Sequence, residues 1–84
     1  MERVEVLTKI NELGKEIFDD EMIVIEDITS AEDIDGWDSL THLELIEALE
    51  NEYKVKFTME EILGSVNVGK LVDAILNRYK NDSI

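Results

Sequence analysis

Asp35-Gly36-Trp37-Asp38-Ser39-Leu40-Thr41-His42-Leu43-Glu44-Leu45-Ile46-Glu47-Ala48-Leu49-Glu50 is the stretch on which the reading of this chain turns. An acid-rich, glycine-containing loop ends at Asp38, and an amphipathic helix begins at Ser39. Asp38 fits the N-cap position, which leaves Ser39 as the first helical residue. A helix start carries partial positive charge and unpaired N–H donors, so an anionic group hung on the Ser39 hydroxyl is favoured there. The serine reads as an attachment point rather than a nucleophile.

Working outward, the helix extends to about Tyr53. Leu40, Leu43, Ile46 and Leu49 or Glu50 define its inner side, with Leu45 and Ala48 near the margin. Glu44, Glu47 and Asn51 trace an outer stripe, with Glu50 beside it. Upstream, Val6, Leu7, Ile10, Leu13, Ile17 and Phe18 recur at helical spacing and predict a first helix from about Glu2 to Phe18. Gly14 within it permits close approach of a neighbouring helix. From Asp19 to Asp38 the periodicity is lost. This long loop holds nine acids but also Ile23, Ile25, Ile28, Ile34 and Trp37, which pin it to the core. Gly36 supplies a backbone conformation that a side chain would hinder.

Downstream, Val55-Lys56-Phe57 is a short extended connector, and Thr58 with Glu61 forms a capping box. A short third helix covers about Met59 to Leu63 and stops near Gly64. A last helix, capped by Asn67, runs to about Tyr79 on the apolar positions Val68, Leu71, Val72, Ile75, Leu76 and Tyr79. Arg78 and Lys80 fall in its last turn, where positive charge suits the helix C-terminus. The fold class is therefore all-α: a four-helix bundle with a long loop between helices 1 and 2 and a short third helix. Residues 1–80 form one domain, and 81–84 are expected to fray.

Twenty-one acids against eight bases give a net charge of −13. Such a surface repels nucleic acid and anionic membranes, and it speeds encounters with basic partner proteins. Solvated helix faces explain part of the acidity, but not its clustering around one serine. The absence of cysteine excludes disulfides and Cys-ligated metal, and it leaves the chain without a thiol of its own. The N-terminal residues carry no signal-peptide pattern, and no apolar run is long enough to span a membrane, so a cytoplasmic monomer is expected. In the loop, an EF-hand register on Gly36 would place Ala31 and His42 at its first and last ligand positions, so no metal site is assigned.

The run Asp35 to Leu40, followed by the acidic helix and set within a small four-segment helical chain, resembles the acyl carrier protein family from about Val4 to Tyr79. That resemblance implies that Ser39 is esterified with 4′-phosphopantetheine from coenzyme A, whose thiol carries acyl groups as thioesters. It places Asp38 in the surface read by the phosphopantetheinyl transferase. It also implies that Leu40, Glu44, Glu47 and Glu50 meet basic docking surfaces on a loading ligase and on acyl-processing enzymes. The chain departs from the family at Thr41, where many fatty-acid carriers have an acid, and at Glu47, where they often have an apolar residue. These departures favour a free-standing carrier for a specialised pathway. An aminoacyl or peptidyl carrier, as in nonribosomal peptide or D-alanyl transfer systems, is the nearest alternative. An unmodified acidic interaction module is a more distant one. No enzyme activity is expected: Asp38, Ser39 and His42 are neighbours on one helix and do not form a triad. His42 is read as facing solvent or a partner near the phosphate. Trp37 is read first as loop packing, and its indole would add apolar surface beside the arm.

Overall fold

The computed structural model describes residues 2–65 and 67–82, with side chains through residue 78. Four helices follow in order: α1 (Arg3–Ile17), α2 (Ser39–Tyr53), α3 (Met59–Gly64) and α4 (Val68–Asp82). One turn of 3-10 helix, Ala31–Asp33, interrupts the long α1–α2 loop that the sequence reads as irregular throughout. α1 packs on α2 and α4, and α3 packs on α4. The order of elements and the short third helix agree with the expected all-α bundle.

The core is built from one stripe of each long helix. Val6 and Ile10 come from α1, Leu45, Ile46 and Leu49 from α2, and Val68, Leu71, Val72 and Ile75 from α4. Ile23 and Ile25 of the loop and Phe57 of the connector close it. Two expectations for α2 are corrected. Leu40 and Leu43, assigned to its inner side, are 67% and 53% exposed, whereas the marginal Leu45 is fully buried. The cause is geometric. At about 100° per residue Leu40 lies about 180° from Leu49 around α2, and Leu43 about 160° from Leu45, so both face away from the stripe that meets the core. Ile28 is likewise 80% exposed and anchors nothing.

The loop is held by polar contacts that its composition does not reveal. The Asn11 side chain accepts from Ile25 N–H at 2.8 Å and donates to Ile25 carbonyl oxygen at 2.9 Å, imitating a strand pair. Thr29 and Asp27 present carbonyl oxygens to the first N–H groups of α4: Val68 N–H to Thr29 O and Gly69 N–H to Asp27 O, both at 2.8 Å. Asn67 Oδ1 accepts from Lys70 N–H at 3.1 Å and supplies the expected cap. The loop thus satisfies orphan donors of a helix start. Arg3 ties the same corner together, donating to Asp27, Asp73 and the Gly69 carbonyl.

Gly14 is buried, but it faces the loop rather than a helix. A Cβ built there would lie 2.7 Å from Ile25 Cδ1. The Thr58–Glu61 capping box forms as expected, and Glu61 also receives both terminal nitrogens of Arg78. Because α4 continues to Asp82, Arg78 lies a turn in from its end and binds Glu61 and the Ala74 carbonyl rather than terminal carbonyls. Asn81 and Asp82 are helical, since no Gly or Pro interrupts the chain after Tyr79. The side chains of Tyr79 and Lys80, and residues 83 and 84 altogether, lie outside what is described.

Candidate functional site

Ser39 opens α2, and its position is fixed from both sides. Gly36 has φ of +86°, a left-handed conformation that turns the loop into the helix, as expected from the sequence. Asp38 is the N-cap, with Oδ1 accepting from Thr41 N–H at 3.0 Å. In return Thr41 Oγ1 accepts from Asp38 N–H at 2.8 Å and donates to the Gly36 carbonyl, also at 2.8 Å. This reciprocal pair locks Gly36, Asp38 and Thr41 around the serine. The donated Thr41 N–H is the main cause that holds the Asp38 carboxyl below the usual carboxylate range, so it is ionised near neutrality. Thr41, read from the sequence only as a missing acid, is thus half of the capping box. The Asp-x-x-Thr spacing was the available signal.

The Ser39 hydroxyl itself is exposed and has no hydrogen-bond partner among the described residues. It stands at the rim of an open cleft of about 550 Å³ between α2 and α3. Leu43, Met59, Ile62 and Leu63 supply its apolar wall, with Trp37 and His42 at one end. No hydrolase triad exists here. The Asp38 carboxylate is spent on Thr41, and the His42 nitrogens point elsewhere.

His42 is not turned to solvent as expected. It is half-buried, with Nδ1 accepting from Trp37 Nε1–H at 3.1 Å. Its Nε2 lies 3.3 Å from the Ile62 carbonyl oxygen and 3.4 Å from Ser65 Oγ. Trp37 packs between Phe18, at a ring separation of 5.1 Å, and His42, at 6.0 Å. That bears out its reading as loop packing. Ile62 and Ser65 carry no sequence signal for this role, because one contributes through its backbone and the other through a fold-dependent contact.

The other expected residues fall into two groups. Leu40, Glu44 and Glu47 are exposed on α2. Glu50 is half-buried, and its Oε2 accepts from Phe57 N–H at 2.8 Å, so it braces the connector instead of standing free. No group of three or more candidate ligands able to hold a metal ion occurs among the described residues.

The site suits a phosphodiester-linked arm on observed grounds. The hydroxyl is accessible, the cap leaves it unengaged, and the first turn of a 15-residue helix lies beneath it. Comparison with known proteins agrees. Residues 15–75 match the family described as phosphopantetheine attachment site. The structure is similar to the solution structure of holo acyl carrier protein from Geobacter metallireducens, with 41% sequence identity, a TM-score of 0.81, and coverage of 90% of this chain and 87% of that one. No curated protein matches. The chain belongs to the phosphopantetheine attachment family, and it is an all-helical acyl carrier rather than an enzyme, with a covalently joined phosphopantetheine as its prosthetic group.

Proposed function

We propose that Ser39 is the residue to which the phosphopantetheine is joined, and that the chain presents acyl intermediates on that arm to successive enzymes in the cytoplasm. The observation that carries this reading is the free Ser39 hydroxyl at the first position of α2, beside an ionised N-cap Asp38. Transfer from coenzyme A forms the bond from Ser39 Oγ to phosphorus and releases the nucleotide portion as 3′,5′-adenosine bisphosphate. Asp38 holds the helix start in place and offers the transferase a fixed negative charge beside the hydroxyl.

Exposed Leu40, Glu44 and Glu47 form the docking face, an apolar contact flanked by acids. Glu50 contributes less, since its carboxylate is engaged with Phe57. Partners with basic surfaces, namely the transferase, a loading ligase and acyl-processing enzymes, would meet this face, and the net charge of −13 speeds their encounter. Once joined, the arm raises the effective concentration of its cargo at each partner without any new contact. Thr41 and Glu47 support service in a specialised pathway. At Thr41 the acid of many fatty-acid carriers is replaced by a capping hydroxyl, and at Glu47 an acid stands where an apolar contact is usual.

The test is intact-mass measurement after incubation with coenzyme A and a broad-specificity phosphopantetheinyl transferase. A gain of one phosphopantetheinyl group that Ser39→Ala abolishes supports the assignment. The same gain in Ser39→Ala would place the attachment elsewhere.

A further inference from the structure

Residues 22–26 of the α1–α2 loop form a short open edge. Exposure alternates along them with a period of two. Met22 is 85% and Val24 73% exposed, and Glu26 is exposed, whereas Ile23 and Ile25 are buried. Such alternation marks an extended backbone, in which the N–H and C=O of successive residues point to opposite lateral sides. One side is closed, because the Asn11 side chain takes both the N–H and the carbonyl oxygen of Ile25. The N–H and C=O of Val24 point the other way, and neither has a partner among the described residues. The edge ends where the chain turns back on itself: Met22 N–H donates to Asp20 Oδ1, and Glu26 N–H to Thr29 Oγ1.

Three features define what fits this edge. A donor and an acceptor on one residue match the acceptor and donor of one residue in an antiparallel extended chain. A helix uses those groups internally and cannot supply them. Met22 and Val24 share one face of the extended segment and offer neighbouring apolar contacts. Acids flank them. Glu21 and Glu26 are exposed and make no ion pair among the described residues. Glu21 also borders a hollow lined by Glu12, Lys15, Glu16 and Asp19, four acids to one base. A second copy of the chain would set −13 against −13, so its charge opposes self-pairing.

We propose that this edge is a docking site for an extended basic segment of a partner protein, which adds to Val24 as a short strand. The segment carries apolar side chains over Met22 and Val24 and lysine or arginine at its two ends, toward Glu21 and Glu26. Main-chain pairing supplies the attraction and the side chains supply the selection. The site contains no residue of α2, so it is distinct from the face around Leu40, Glu44 and Glu47 and does not rest on the assignment of Ser39.

The test uses the unmodified full chain, labelled with nitrogen-15, at physiological salt. The probe is the acetylated and amidated peptide Lys-Thr-Val-Thr-Val-Thr-Lys. Its control is the same peptide methylated on both valine nitrogens, which keeps the charge and side chains but removes the donors that would face Val24. In the free protein the Val24 amide should exchange fast, while that of Ile25, held by Asn11, should be protected. The probe should shift the resonances of residues 22–26 and slow exchange at Val24. The methylated peptide should bind about tenfold more weakly, the effect of losing one or two modest hydrogen bonds. Glu26→Gln should weaken both peptides alike, and Val24→Pro, which lacks the N–H, should abolish the difference between them. If circular dichroism shows that Val24→Pro does not fold, the methylated peptide still tests the same pairing on the parent chain. Equal affinity of the two peptides, shifts centred on α2, no binding at millimolar probe, or concentration-dependent dimerisation through this segment would overturn the proposal. Neither Ser39 nor the arm enters these measurements, so a failure of the Ser39 assignment would appear in the mass experiment alone.

Discussion

Gly14→Ala is the substitution whose outcome the structure makes most informative. Glycine inside a helix costs about 1 kcal/mol relative to alanine, so propensity alone predicts stabilisation by that amount. The structure opposes it. The new Cβ would lie 2.7 Å from Ile25 Cδ1, with two Phe18 ring carbons at 3.6 Å. Apolar carbons pack best at about 3.5–4.0 Å, so roughly 1 Å of room must be found. Ile25 is 2% exposed and its backbone is clasped by Asn11, so neither its side chain nor its main chain is free to retreat. Overpacking of this kind costs about 1–3 kcal/mol, which cancels or outweighs the helix gain and leaves Gly14→Ala neutral to about 2 kcal/mol less stable. Ile25→Val removes the clashing methyl at a cost of about 0.5–1.5 kcal/mol on its own. In that background Gly14→Ala should recover most of its propensity gain, so the two changes should couple favourably by about 1–3 kcal/mol. Urea unfolding of the four proteins, followed by circular dichroism, measures the cycle, and a 1 kcal/mol effect shifts the melting temperature of a domain this size by about 4–8 °C. Equal effects of Gly14→Ala in the parent and in the Ile25→Val variant would refute the argument that the loop, pressed on the helix, demands the glycine.

Glu61 carries a lowered pKa, chiefly because Arg78 bonds to it, so its contribution to stability is complete above the ordinary glutamate value of 4.5 and is lost as pH falls through the lowered folded value. Glu61→Gln should therefore cost about 1 kcal/mol at neutral pH and nothing in strong acid, and a pH-independent difference in unfolding free energy would exclude the ion pair as its cause. Gly36→Ala meets no atom within 4 Å but must hold φ of +86°, so it should lose about 1–2 kcal/mol by backbone strain alone; Gly36→Asn should lose less, and an alanine variant as stable as the parent would mean the turn relaxes. The net charge of −13 predicts that sodium chloride raises the melting temperature from low ionic strength and that magnesium does so more steeply, by diffuse screening. A saturating one-to-one calorimetric isotherm for magnesium would point instead to a discrete site.

The sequence carried the helices because their apolar residues repeat at helical spacing, and it carried the caps at Asp38, Thr58 and Asn67 because capping is a local chemistry of three or four residues. It also carried the start of α2 at Ser39. It did not carry what depends on how far one element covers another. Leu40 and Leu43 recur at helical spacing, but they lie on the side of α2 turned away from Leu45 and Leu49, and which side is covered is decided only by the neighbouring helices. Asn11 and Arg3 resemble ordinary surface residues of α1, yet each reaches a loop residue, 14 and 24 positions away. His42 was misplaced for the same reason: its partners, apart from Trp37, lie on a helix that returns to it only after folding.

The exposure of the first turn of α2 has a consequence for quality control in the cell. Ser39 and Leu40 lie outside the packed interior, so a group joined to the serine displaces no buried atom. If the arm is joined at Ser39, its attachment should leave the balance between native and unfolded chains nearly unchanged, and proteases that remove unfolded chains by their abundance should treat bare and modified molecules alike. Whether a molecule is charged for work is then legible only to proteins that touch α2 directly, and the supply of bare carrier can wait for its prosthetic group without being cleared.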